Sequence, residues 1–211
     1  MTTVTEKLHQ LQECTEVLAD TAPITFEQYL HMFGEDDDYE LIDGVAVERM
    51  AVQLDHERLF VWLIVLLGQF VEQRQLGIVL GSRSAVRINE FRGRLPDLLF
   101  VRAERMSIVQ QKAIYGAPDL VIEIISPSDR RSDVIQREAD YRTVGVQEIW
   151  LIDRPRGRVR VLRRQGDQYT EQELSEGDLE CTVIPFLRLR AEWLLGEERP
   201  PVHKLLKELG E

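Results

Sequence analysis

Apolar and polar side chains alternate from Leu120 to Ile125, so Leu120, Ile122 and Ile124 share one face of a strand while Asp119, Val121, Glu123 and Ile125 share the other. Ser126-Pro-Ser-Asp129 reads as the turn that closes this strand. A helix follows, capped by Ser132 and stopped by Gly145, with Asp133, Arg137 and Tyr141 on one stripe at i, i+4 and i+8. A second apolar strand then runs to Asp153. The strand, crossover helix and strand predict a βαβ unit; the short crossover leaves open whether its strands are adjacent and parallel.

The strongest helical pattern covers Leu54 to Gln75, apolar around much of its girth from Leu59 to Val71, which predicts a central helix packed on a sheet and ended by Gly77. Before it, residues 1–22 carry weak helical periodicity through Leu8, Leu11, Val17 and Leu18. Thr25 caps a short helix, and Tyr39–Ile42 and Val45–Arg49 form a hairpin across Asp43-Gly44. Ile78–Leu80, Ala85–Ile88 and Leu98–Val101 supply further strands, and a polar, helical surface connection spans Val101 to Ala117. Val159–Leu162 and Gln168–Glu173 read as a hairpin across Gly166-Asp167. After the break at Pro200-Pro201, His203–Leu209 is a short amphipathic tail suited to a partner or a dimer contact. The expected organisation is an extension over 1–22, a domain over 23–197 and a tail over 198–211.

Composition narrows the class. The 211 residues suffice for one sizeable core, and 44% hydrophobic with 30% charged is ordinary for a soluble globular chain. A net charge of -11 does not favour nucleic acid, so any phosphate-tracking surface must come from the local arginine clusters at Arg83–Arg94, Arg130–Arg142 and Arg154–Arg164. The same clusters also suit solvated faces with scattered counter-charges. Cys14 and Cys181 are too few for a disulfide framework or a zinc site. No signal peptide is visible, and the apolar segment Leu59–Leu67 is about half the length that spans a bilayer, so no membrane association and a cytoplasmic location are expected. Nor is there a Gly-rich phosphate loop, a nucleophile elbow or an evident Cys–His pair.

Glu123 stands out because a charge within a buried run needs a partner, neutralisation or a metal. A second carboxylate, Asp97, follows Pro96 at the head of Leu98–Val101. Two such carboxylates about 4 Å apart on neighbouring strands would repel by roughly 4 kcal/mol at an effective dielectric near 20. A hard divalent cation turns that repulsion into binding, because Mg²⁺ is held by one or two carboxylates plus water and phosphate oxygens. Asp97, Glu123 and Arg137 equally suit a buried ion-pair network without metal.

Pro96-Asp97, the strand through Glu123 to Ser128, Arg131–Tyr141 and Gly145–Asp153, in this order, resemble the Uma-two family, a group assigned as endonucleases of the restriction-endonuclease-like PD-(D/E)XK fold. Tyr39–Gly44 and the helix-opening His56 match its N-terminal pattern, and the resemblance covers roughly Ile24 to Leu195. It implies an α/β fold with a mixed central sheet flanked by the Leu54 and Asp133 helices. It also implies Asp97 and Glu123 as ligands of Mg²⁺ or Mn²⁺, with Glu40 and His56 as further site residues. The family commonly carries a lysine on the crossover helix, where this chain has Arg137; its lysines are Lys7, Lys112, Lys204 and Lys207. Arginine can stabilise charge on phosphate but keeps its proton, so weaker or altered catalysis is expected.

The sequence therefore points to metal-dependent phosphodiester hydrolysis, with DNA as substrate. Asp97 and Glu123 hold the cation, Arg137 stabilises charge and Tyr141 positions the groups around it. A homodimer opposing two sites follows from the resemblance to nucleases that cut a duplex. The missing lysine and the acidic charge support a rival, a nuclease-like fold acting as a binding module. A third possibility, an enzyme for a small phosphorylated ligand, has no nucleotide motif behind it.

Overall fold

The structure, a computed structural model, describes residues 22–33, 37–49, 53–81 and 83–210. The expected extension over residues 1–22 lies, except for its last residue, outside them. The chain divides into two compact units, Met1–Arg49 with Asn89–Gly93 and Met50–Ile88 with Arg94–Glu211.

In the first unit, helix α1 (Phe26–Met32) opens with a reciprocal capping box in which Thr25 and Gln28 each satisfy the other's backbone amide. Strands β1 (Tyr39–Ile42) and β2 (Val45–Glu48) pair antiparallel with Ile42 opposite Val45. Asp43 and Gly44 both take positive φ, 51° and 78°, as a tight two-residue hairpin requires. The Tyr29 hydroxyl donates to the Tyr39 carbonyl at 2.6 Å and ties helix to hairpin.

The second unit is built on a six-stranded sheet. In chain order it contains α2 (Leu54–Gln73), β3 (Gly77–Gly81), β6 (Leu98–Arg102), β7 (Leu120–Ile125), α3 (Arg131–Val144), β8 (Glu148–Asp153), β9 (Arg158–Gln165) and β10 (Gln168–Leu174); β4 (Val86–Asn89) and β5 (Arg92–Arg94) fall where the two units exchange chain. The strand order is β10-β9-β8-β7-β6-β3, with β7 and β8 parallel and every other neighbouring pair antiparallel. This is the expected mixed central sheet, and β7-α3-β8 closes as an adjacent parallel βαβ unit.

Period-2 alternation sorts the sheet's two faces. Leu98, Phe100, Leu120, Ile122, Ile124 and Trp150 pack with the stripe Leu59, Leu63, Leu66 and Phe70 of α2. Leu99, Val101, Val121, Ile125, Ile149 and Leu151 lie on the opposite face with Tyr141 of α3. Helix α2 is not buried around its girth, since Leu54, Val61 and Val65 stay 79%, 52% and 39% exposed. Beyond the sheet come β11 (Asp178–Glu180), β12 (Arg188–Arg190), α4 (Ala191–Leu195) and α5 (Val202–Glu208). Leu205 and Leu206 of α5 join the α2-side core, so the apolar face of the expected tail is covered by its own chain.

Two local expectations are corrected. Gly77 does not end α2; the helix closes at Gln73, and Gln75 takes the left-handed position at φ 53° while the Leu76 amide donates to the Val71 carbonyl. Ser132 lies inside α3, whose cap position is Arg130 without a side-chain cap bond; the Gly145 stop stands, at φ 92°. The connection after β6 begins as a 3₁₀ turn over Ala103–Ile108.

Gly77 is instead the first residue of β3, at φ 149°, and a Cβ there would lie 2.0 Å from the Val101 carbonyl oxygen. Backbone cannot yield as a flexible side chain can. Gly77→Ala is expected to cost about 3 kcal/mol, at the upper end of overpacking penalties. Urea unfolding checks this, and a loss below about 0.5 kcal/mol would contradict the close approach.

Candidate active site

Asp97 and Glu123 sit at one end of the β6–β7 pair. Leu98 lies opposite Ile122 and Leu99 opposite Val121; Asp97, the residue before this ladder, accepts through its side chain the amide of Ile124, next to Glu123. Asp97 and Glu123 are 1% and 2% exposed.

Each carboxylate is held by donors that the local fold supplies. Asp97 Oδ2 accepts the Ile124 amide at 2.8 Å, taking the place of a main-chain acceptor where β6 begins. His56 Nε2 lies 3.2 Å from the same oxygen. His56 is the N-terminal polar member of the stripe that continues through Leu59 and Leu63, and so is buried, at 7% exposure, rather than capping the helix into solvent. Glu123 Oε1 accepts the hydroxyl of Tyr141, and Oε2 accepts Arg137 Nη1 at 3.0 Å. The i, i+4 spacing of Arg137 and Tyr141 aims both at β7. Asp133, the first member of that stripe, is exposed.

Arg137 also donates through Nη2 to Asp129, whose Oδ2 accepts the Ser126 amide at 2.7 Å. Asp129 escapes sequence reading because an aspartate in a turn has ample local reason to be there. The same holds for Asp140, which receives Arg94 Nε at 2.7 Å with both side chains nearly buried.

The structure thus gathers Asp97, Glu123, His56, Arg137 and Tyr141 within the second unit. Glu40 stands on β1 in the first unit, opposite Val47. There, burial pushes the Tyr29 phenol up to about 12, and the Glu40 carboxylate raises it further than Asp38 does. Burial likewise pushes the Cys181 thiol up to about 12, which leaves it no thiolate character near neutrality.

The donor types suit a divalent cation, with two buried carboxylates at one end of the strand pair and an imidazole beside Asp97. Among the described residues no three His, Cys, Asp or Glu side chains gather as a metal cluster, so water or substrate oxygens would complete such a site. The arginine clusters are largely matched by acids: Arg142 and Arg160 meet Glu138, Arg156 and Arg158 meet Asp153, and Arg163 approaches Glu148. No helix of the described residues is long and apolar enough to cross a membrane.

Comparison with known proteins bears on the fold and the family. No curated protein matches the chain. Among solved structures, a chain described as a putative nuclease belonging to DUF820 from Anabaena variabilis superposes with a TM-score of 0.69 at 20% identity, over 82% of this chain and 98% of that one. That likeness shows a shared fold, the restriction-endonuclease-like mixed sheet flanked by helices. The family model described as "Uma2: Putative restriction endonuclease" matches residues 26–192. Most of the chain lies within that match, and the protein belongs to the Uma2 family.

Proposed function

We propose that this protein is a divalent-metal-dependent DNA endonuclease whose cation, Mg²⁺ or Mn²⁺, is held by Asp97 and Glu123. The observation that supports the reading is the pair of buried carboxylates, Asp97 and Glu123, at one end of the β6–β7 pair, with Asp97 bonded to the amide next to Glu123. When bound there, a divalent cation supplies Lewis acidity toward a phosphoryl oxygen and lowers the pKa of water. His56 and the Ile124 amide orient the Asp97 carboxylate, and Tyr141 orients that of Glu123. Arg137, released from one of its two acidic partners, donates to the non-bridging oxygens of the phosphodiester as negative charge accumulates there. A two-fold dimer would oppose two sites across a duplex. Glu40 remains a candidate for contact with the scissile phosphate.

One observation favours a second reading, a nuclease-like fold that binds without cutting. Both Glu123 oxygens are engaged by Tyr141 and Arg137, and Arg137 cannot act as a base. Nicking of supercoiled plasmid with Mg²⁺ or Mn²⁺ decides between them. Metal-dependent nicking is expected; folded protein that neither nicks nor binds metal would favour the second reading. Arg137→Lys is expected to raise the nicking rate about a hundredfold, the lower end of the range for general acid–base assistance. An unchanged rate would remove Arg137 as the cause of weak catalysis.

A further inference from the structure

A cleft of about 440 Å³ opens on the α3 side of the sheet, within the second unit. Its polar lining is Arg131, Arg156, Arg158, Arg160, Glu138 and Asp153. Four guanidinium groups line it; Arg158 and Arg160 also meet Glu173 and Glu171 outside the lining, which leaves Arg131 and the half-exposed Arg156 as the cations open to a ligand.

Strand register explains why these groups converge. Asp153 lies between Ile125 of β7 and Arg158 of β9, while Arg160 shares a row with Leu151 and Glu123. Rows are spaced by two residues along one face, so Asp153 lies about 7 Å along the strands from Glu123's row, and Arg160 lies in that row two strands away. Asp153 is 3% exposed; its Oδ2 accepts Arg156 Nη1 at 3.1 Å and Arg158 Nε at 3.4 Å. Oδ1 is buried with no hydrogen-bond donor among the described residues. A buried carboxylate oxygen in that state requires an N–H or O–H from a ligand or solvent. Arg131, on the first turn of α3, is exposed and makes no ion pair with a described carboxylate, and the Arg156 side chain is 53% exposed. Val134 and Ile135 add an apolar wall.

Such a cleft asks for one molecule bearing an anion, a flat apolar body and an N–H donor. We propose that it binds a nucleotide with an amino-bearing base, the phosphate at Arg131 and Arg156 and the exocyclic amine at Asp153 Oδ1. The choice of a nucleotide rests on the nuclease reading of the neighbouring carboxylates; binding itself needs neither metal nor cleavage. Guanidinium forks match phosphate geometry, and a carboxylate accepts the cytosine amine as it does in base readout.

Titration calorimetry of the full chain in EDTA, with deoxycytidine and deoxyuridine monophosphates and inorganic phosphate, tests this. The two bases differ at C4, an amine against a carbonyl, and at N3, an acceptor in cytosine and an N–H in uracil; with the C4 group at the carboxylate, uracil turns an acceptor toward it. Deoxycytidine monophosphate is expected to bind at least tenfold more tightly than deoxyuridine monophosphate, with inorganic phosphate weaker still. The exposed pair Arg131→Ala with Arg156→Ala should weaken both nucleotides at least tenfold, and Asp153→Asn should erase the preference between them. Equal affinity for the two nucleotides, an unaffected double variant, or no binding overturns the proposal. Plasmid nicking without nucleotide binding would overturn the cleft alone, whereas nucleotide binding without nicking would overturn the nuclease reading and leave the cleft standing.

Discussion

Asp97→Asn and Glu123→Gln are each expected to reduce metal-dependent nicking about a thousandfold, which corresponds to about 4 kcal/mol of lost transition-state stabilisation. The amides are the informative substitutions. Asparagine at 97 keeps an oxygen for the buried Ile124 amide, and glutamine at 123 keeps one for the Tyr141 hydroxyl, so the loss of negative charge is separated from loss of structure. Alanine at 97 would leave that amide orphaned, at a cost of about 1–3 kcal/mol, and confound chemistry with folding. Initial nicking rates at saturating Mg²⁺, with thermal unfolding beside them, provide the check. Variants that fold normally and nick within tenfold of wild type would separate the activity from this pair of carboxylates.

Truncating Trp150 is expected to destabilise the second unit by about 4–5 kcal/mol. Trp150 is fully buried at the centre of β8, which aligns in parallel with the Glu123 strand. Removing so large a side chain from a core costs about 3–5 kcal/mol through lost burial and the cavity left behind. Its indole N–H also donates to Glu148 Oε1 at 2.7 Å, while Glu148 Oε2 accepts the Thr182 amide at 2.7 Å and the Thr182 hydroxyl. Trp150→Ala therefore adds a weakened buried carboxylate to the cavity, whereas Trp150→Phe removes the donor and keeps most of the ring. The first should lower the melting temperature by roughly 10–20 °C and the second by well under half as much. Denaturant unfolding of both variants tests the split, and a Trp150→Ala loss below about 1.5 kcal/mol would contradict the packing described for β8.

What could be read from the chain alone was what its neighbouring residues enforce. Alternation marked Leu120–Ile125 as a strand with Glu123 on the opposite face from Ile122, helical spacing aimed Arg137 and Tyr141 together, and Asp43-Gly44 and Gly166-Asp167 announced their hairpins. These signals are local because backbone geometry sets periods of 2 and 3.6 and positive φ selects turn residues. The tertiary structure decided what local signals leave degenerate: that β6 runs antiparallel beside β7, that Asp97 at its head meets the Ile124 amide next to Glu123, and that His56 turns into the buried stripe. It also matched much of the arginine clusters with acids distant in sequence and laid α5 on the α2-side core. A shift of one residue would move every side chain of a strand to the other face, so register is settled by the burial of whole faces. Ion-pair partners follow from that packing, since the chain between them leaves no local trace of which carboxylate an arginine will meet.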